Sequence, residues 1–187
     1  RRKGISLLDA QKWMRERNYF AAMMVHEGEA DALVTGYSRS YPSVVKPMLQ
    51  LIDKEPEVSL IATTNMMMTS RGPMFMSDTA INTNPTSEEL AKIAIMTAKA
   101  AKLFGVEPVI AMISFSNFGS SSNDSANKVR EAVDYLHKNH PEMIIDGEVQ
   151  ADFALNPEML SKKFPFSKLA GKKVNTLIFP NLESANI

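Results

Sequence analysis

Val109-Ile110-Ala111-Met112-Ile113 runs directly into Ser114-Phe115-Ser116-Asn117-Phe118-Gly119-Ser120-Ser121-Ser122, and the fold is decided in that passage. Five apolar residues without alternation predict a strand covered on both faces, as in a parallel sheet. The Ser/Asn/Gly run predicts a loop, and residues 123–137 then carry Val129, Ala132, Val133 and Leu136 at helical spacing. Strand, polar loop and helix start form a layout that binds anions. Loop amides and hydroxyls converge on one point, and the unpaired amides of the helix start add partial positive charge. No lysine or arginine lies between Ile113 and Lys128, so such a cradle relies on neutral donors. A plain strand-to-helix connector is the competing reading; the loop's length, its two hydroxyl clusters and its place at a strand's C-terminal end favour a ligand.

Upstream, Thr86-Ser87-Glu88-Glu89 is a capping box, with Leu90, Ile93, Ala94, Thr97, Ala98, Ala101 and Phe104 behind it at helical spacing and Gly105 placed to end the helix. Residues 58–63 form a β-rich run, and Gly72–Met76 is its hairpin partner or another strand. Nearer the start, Ser6–Arg17 reads as a helix with Leu7, Ala10, Trp13 and Met14 on one face. An apolar block follows from Tyr19 to Val25. Ala30–Gly36 reads as a short buried strand, and Pro42 opens a helix over Val44–Ile52. Downstream, Pro141 stops the helix after the loop, a short helix is expected near Gln150–Leu155, and Val174–Phe179 is a last strand. Helices alternating with short apolar strands predict an α/β fold, a three-layer α/β/α sandwich with a mainly parallel sheet.

The 187 residues suffice for one well-buried domain. Acidic and basic residues balance at 21 each, so no basic stripe recruits nucleic acid or an anionic membrane surface. The absence of cysteine rules out disulfides, zinc-thiolate sites and a cysteine nucleophile, and suits a cytoplasmic setting. No apolar run is long enough to span a bilayer. Both ends read as cut, which makes residues 1–187 a single-domain fragment of a longer polypeptide. A glycine-rich dinucleotide fingerprint, a Walker loop, a His-Glu-x-x-His pair and a nucleophile elbow are all missing.

Three acid clusters carry two readings each. Glu27-Gly28-Glu29-Ala30-Asp31 suits a metal or acid–base chemistry, but a solvated turn is the favoured reading. Asp146-Gly147-Glu148-Val149-Gln150-Ala151-Asp152 lines a cleft or forms a turn that helps cap the next helix. Asp78-Thr79-Ala80-Ile81-Asn82 is equally open. His137 and His140 have metal-ligand spacing but no third ligand, so placement at a helix C-terminus is preferred and no metal site is expected. Met66-Met67-Met68, with Met74 and Met76, is expected in a core or a subunit interface, the other reading being a pliable surface for another domain.

Taken in order, several stretches resemble the phosphate acetyl- and butyryltransferases. They are Gly28–Gly36, Asp78-Thr79-Ala80-Ile81-Asn82 with Pro85-Thr86, the Ser114–Ser120 loop, Asp146–Asp152, and Ala170-Gly171 through Leu182. The resemblance implies the isocitrate/isopropylmalate dehydrogenase-like fold of phosphotransacetylases, with this fragment being mainly the second, inserted subdomain. A narrower resemblance, carried by Ser114–Ser120, Asp146–Asp152, Phe164-Pro165-Phe166-Ser167-Lys168-Leu169 and Asn175–Ile187, is to the transacetylase-like C-terminal domain of large bacterial malic enzymes.

That narrower resemblance implies a regulatory and oligomerisation module. The parent would oxidatively decarboxylate malate in other domains with NAD(P) and magnesium or manganese. This stretch would bind acetyl-CoA as effector and form a homo-oligomer. Candidate contacts for a CoA ester or phosphate are Ser114, Ser116, Asn117, Gly119 and Ser120, with Thr35, Arg39 and Lys46. No catalytic residue is expected here, because the family's Ser-Arg pair and aspartate fall beyond the equivalent of Ile187. Thr79 stands where many transferases have cysteine, and Lys46 where many have arginine; a lysine keeps the charge but loses the bidentate fork. The alternative is a fragment of a working transferase moving an acyl group between CoA and phosphate. A third reading is a purely structural assembly module.

Overall fold

The computed structural model describes residues 4–54, 56 and 58–187, which pack as two compact units, Arg1–Ser59 and Leu60–Ile187. The first is helical: α1 (Leu7–Trp13), α2 (Arg17–His26) and α3 (Tyr41–Leu51). The helix expected over Ser6–Arg17 starts on its Ser6 cap but ends at Trp13. The chain reverses after Met14 and brings Tyr19 back against Trp13, with ring centroids 5.2 Å apart. Leu7, expected on the buried face, is exposed. α2 and α3 are joined by Asn18 Nδ2 donating to Ser43 O at 3.1 Å and Tyr19 Oη donating to Gln50 Oε1 at 2.7 Å. The strand expected over Ala30–Gly36 is not formed. A strand needs a neighbouring ladder, the described residues of this unit contain none, and Val34 is 97% exposed.

The second unit is built on a five-stranded sheet in the order β1-β2-β5-β3-β4. β1 (Thr64–Thr69) and β2 (Gly72–Ser77) form an antiparallel hairpin at the sheet's edge. β5 (Thr176–Ile178), β3 (Val109–Ile113) and β4 (Ile144–Val149) run parallel to β2. The hairpin confirms Gly72–Met76 as a strand but moves its partner from residues 58–63 to Thr64–Thr69. The physical reason is Asp78, whose carboxylate takes both the amide and the hydroxyl of Thr63 and removes them from any ladder.

Side chains leave the sheet alternately, and each face has its own core. Ile110, Met112, Ile145 and Ile178 face α4 (Ser87–Leu103) and α5 (Asp124–Asn139). Ala111, Ile113, Val149 and Leu177 face the opposite layer, which holds α6 (Ala151–Ala154) and α7 (Pro157–Lys163). This is the expected α/β three-layer arrangement, and it explains the unbroken apolar run of β3. The capping box of α4 is formed as expected: Thr86 Oγ1 accepts from Glu89 N at 3.3 Å, and Glu89 Oε2 from Thr86 N at 2.8 Å. Met66, Met67 and Met68 stand exposed on β1, while Met74 and Met76 pack against the second core. A final short helix, α8 (Leu182–Ala185), follows β5. Among the described residues no helix is long and apolar enough to cross a membrane.

Candidate functional site

Because β2, β5, β3 and β4 are parallel, the loops that leave their C-terminal ends share one edge of the sheet. Open α/β sheets bind ligands at that edge. Along it lie residues 78–85 after β2, 179–181 after β5, 114–122 after β3, and Gln150 after β4. Most of the motifs singled out in the sequence of this unit therefore meet in one place.

The 114–122 loop is wrapped around a carboxylate of the protein itself. Glu148, fully buried on β4, accepts at Oε1 from Ser116 Oγ (2.8 Å), Gly119 N (2.9 Å) and Arg130 Nη2 (2.9 Å), and at Oε2 from Arg130 Nε (3.2 Å). Arg130 Nη2 also donates to Ser121 O at 3.0 Å and Nη1 to Asn127 Oδ1 at 2.9 Å, so one guanidinium ties α5, the loop and β4 together. Burial pushes the Glu148 carboxyl up, but the Arg130 guanidinium, the Gly119 amide and the Ser116 hydroxyl outweigh it and hold the group below the usual carboxylate range.

The rest of the loop is bound as closely. Ser116 Oγ lies 3.0 Å from Ser120 Oγ and accepts from Ser121 N at 3.1 Å, while Ser114 Oγ accepts from Ser116 N at 3.2 Å. Asn117 pairs with Gln150, its Oδ1 accepting Gln150 N at 2.8 Å and its Nδ2 donating to Gln150 Oε1. Phe118 takes φ 43°, a left-handed conformation that costs a bulky residue energy. It is held there by Phe164 and Phe166, with ring centroids at 4.9 and 5.2 Å, and by its own amide donating to Glu148 O at 2.8 Å. The strained backbone of Phe118 and the buried charge of Glu148 that the loop encloses are therefore both over-determined by their surroundings.

Beside it, buried Asp78 organises the loop after β2. Its carboxylate accepts from the Thr63 amide and hydroxyl and from Ala80 N (3.1 Å), Ile81 N (3.3 Å) and Asn82 N (2.8 Å). Burial raises this carboxyl, and the Thr63, Ala80 and Asn82 bonds overcome the rise and leave it below its ordinary value. Thr79 is buried behind it, its amide donating to Thr63 Oγ1 at 3.2 Å. Lys128, half-buried on α5, spans to the loop after β5: Nζ donates to Asn84 Oδ1 at 2.8 Å and Pro180 O at 2.9 Å. Both acceptors are neutral, Lys128 forms no ion pair among the described residues, and burial lowers its ammonium below the usual value.

The expected site residues fall into two groups. Ser114, Ser116, Asn117, Gly119 and Ser120 are brought together on the one loop. Thr35, Arg39 and Lys46 belong to the first unit, where Thr35 Oγ1 donates to Asn18 Oδ1 at 3.0 Å and Arg39 and Lys46 border a pocket of about 170 Å³ with Glu16 and Tyr19. Asp146 does not face a cleft: its Oδ2 accepts Ser167 Oγ and Lys168 N, both at 2.7 Å. Glu27–Asp31 is an exposed turn after α2, apart from half-buried Ala30. His137 Nε2 lies 2.8 Å from Ile145 O, while His140 leans toward Glu142.

Lys128 and Arg130 escaped the sequence reading. A signal was present, since two cations in the first two turns of a helix oppose its dipole and call for an outside reason.

The whole chain, residues 1–187, matches the family model described as phosphate acetyl/butaryl transferase. It is 40% identical over 188 residues to the phosphate acetyltransferase of Bacillus subtilis, covering 100% of this chain and 58% of that protein. Among solved structures it is similar to a phosphotransacetylase from Streptococcus pyogenes (41% identity, TM-score 0.85, 99% of this chain and 57% of that one). The EutD phosphotransacetylase from Staphylococcus aureus is alike to a comparable degree (39% identity, TM-score 0.84, 100% and 57%). The chain thus spans a little over half the length of these relatives. Similarity to proteins named phosphate acetyltransferase overturns the expectation of a malic enzyme. With it go the decarboxylating oxidoreductase, NADP and metal-binding assignments and the expected inactivity. No cluster of three metal-ligating side chains occurs among the described residues.

Proposed function

The chain belongs to the phosphate acetyl/butaryl transferase family, and from that premise we propose that the protein containing it moves an acyl group between CoA and inorganic phosphate. In the forward direction a phosphate oxygen attacks the thioester carbonyl carbon and the C–S bond breaks. CoA leaves as the thiol with the proton that phosphate gives up, and an acyl phosphate results. Both substrates are polyanions, so the site needs positive charge that is not already neutralised.

Lys128 is the observation that carries this reading. It is a half-buried ammonium at the ligand-binding edge, held by two neutral oxygens. An ammonium has three donors, so one remains for an anionic oxygen. The loop Ser114, Ser116, Asn117, Gly119 and Ser120 shapes the wall beside it, its inner donors already taken by Glu148 and its form thereby set in advance. Thr35, Arg39 and Lys46 are assigned to substrate phosphate groups through the small pocket of the first unit. Acetyl-CoA is on this reading a substrate, and the cysteine-free composition fits a cytoplasmic enzyme.

The test is CoA-thiol release by the full-length protein from acetyl-CoA and from butyryl-CoA, with inorganic phosphate varied. Saturable, phosphate-dependent release supports the assignment. Release from neither ester at any phosphate concentration overturns it.

A further inference from the structure

The opposite edge of the sheet carries a groove that acyl transfer leaves unused. Where β1 turns into β2 and β5 begins, Arg71, Met74, Leu155, Pro157, Glu158 and Lys173 border a pocket of about 520 Å³. A second hollow of about 380 Å³ shares Arg71, Met74 and Leu155 with it and adds Asp152. The larger pocket alone has the volume of a small-metabolite site, and Asp152 lies outside its lining. A strand length, roughly 15–20 Å, separates it from the loops around Lys128.

Two cations stand at the larger pocket, each anchored to a backbone carbonyl. Arg71 Nη1 donates to Leu155 O at 3.0 Å, and Lys173 Nζ donates to Arg71 O. Neither is in an ion pair among the described residues. A guanidinium has five N–H donors and an ammonium three, so both exposed side chains keep donors for a ligand beyond the one each spends on a carbonyl. Against these two charges the larger pocket sets one carboxylate, Glu158, leaving a single positive charge in excess. Met74, Leu155 and Pro157 supply apolar wall. We propose that this groove binds a small aliphatic monocarboxylate, its head between Arg71 and Lys173 and its stem along Met74 and Leu155. The excess of one charge matches a monoanion, the planar fork of arginine matches a carboxylate, and the apolar wall requires a stem.

Hexanoate is the probe, titrated into the full-length protein and followed by saturation-transfer NMR, with hexan-1-ol as the uncharged control. Saturable hexanoate binding is expected, with hexan-1-ol binding more weakly. Arg71→Gln and Lys173→Gln each remove the charge and shorten the side chain while leaving an amide donor at the position. Each is expected to weaken hexanoate about tenfold, the effect of one charge-assisted hydrogen bond. Glu158→Gln is expected to tighten it, and Lys128→Met to leave it unchanged. Hexanoate that does not saturate, or that binds wild type, Arg71→Gln and Lys173→Gln alike, overturns the proposal whatever the outcome for CoA release.

Discussion

Arg130 Nη2 lies 2.9 Å from Glu148 Oε1, and through this pair the loop that looks built for an outside anion encloses one of the protein's own. Hydroxyl, amide and guanidinium donors converge on the Glu148 carboxylate as they would on a phosphate. The loop is therefore already shaped without any outside ligand, with the ordering cost met during folding.

Removing Arg130 leaves Glu148 as an uncompensated buried charge. Arg130→Met is expected to cost about 3 kcal/mol, the low end for breaking a buried pair because the guanidinium is partly exposed. Urea unfolding of the two proteins gives the difference, and an unchanged midpoint would contradict the pair's structural role.

Acid should weaken the fold through Glu148 and Asp78. Both carboxyls are held below their ordinary values when folded, so the unfolded chain binds protons first. Their contribution is complete above the ordinary carboxylate pKa, about 4, and is lost as pH falls from there through the folded values. Urea midpoints between pH 7 and pH 3 should drop with acid, and Asp78→Asn should flatten that drop.

Gly147 and Gly119 separate packing from backbone strain. A Cβ on Gly147 would lie 2.6 Å from Met112 O and 2.9 Å from Met112 Cβ, with φ at +151°, whereas one on Gly119 (φ +88°) meets open space. Gly147→Ala is expected to cost about 3 kcal/mol or more and Gly119→Ala about 1 kcal/mol, measured by thermal unfolding. Equal losses would mean the β3–β4 spacing relaxes freely.

Lys128 supplies charge to the proposed acyl transfer. Lys128→Met keeps the stem's packing and removes the ammonium. It is expected to raise the KM for phosphate or CoA ester about tenfold, a loss of about 1.4 kcal/mol in binding. Unaltered kinetics would remove Lys128 from the site.

The capping box of α4 is a local term. Thr86→Ala should lower stability by about 1 kcal/mol with the acid response intact.

The parts of the fold that the sequence declared were those where local pattern and tertiary demand agree. The run of β3, the capping box of α4 and the spacing of α5 all specify the elements that form. β4 escaped because Asp146-Gly147-Glu148 breaks its apolar run, and each of those polar residues answers a partner far away in sequence: Ser167 for Asp146, Arg130 for Glu148. Ala30–Gly36 erred the opposite way, since a β-prone segment forms no strand without a ladder beside it. For the candidate site, the motifs gather at the C-terminal edge of the parallel strands. What they could not reveal is which donors are already spent internally, because that depends on a glutamate 32 residues from Ser116.

The strand order has a consequence in time. β5 lies at the centre of the sheet, between β2 and β3, yet among these five strands it comes last in the chain. Until Thr176–Ile178 arrives, the hairpin of β1 and β2 and the β3–β4 pair share no ladder hydrogen bonds. Closure then joins Thr176 to Phe75, about a hundred positions away, and to Ile110, nearer in sequence, the long-range step that slows folding and leaves apolar strands uncovered during synthesis. A three-residue strand is thus the latch of this unit, and substitutions at Leu177 or Ile178 should act on the yield of folded protein as much as on its stability.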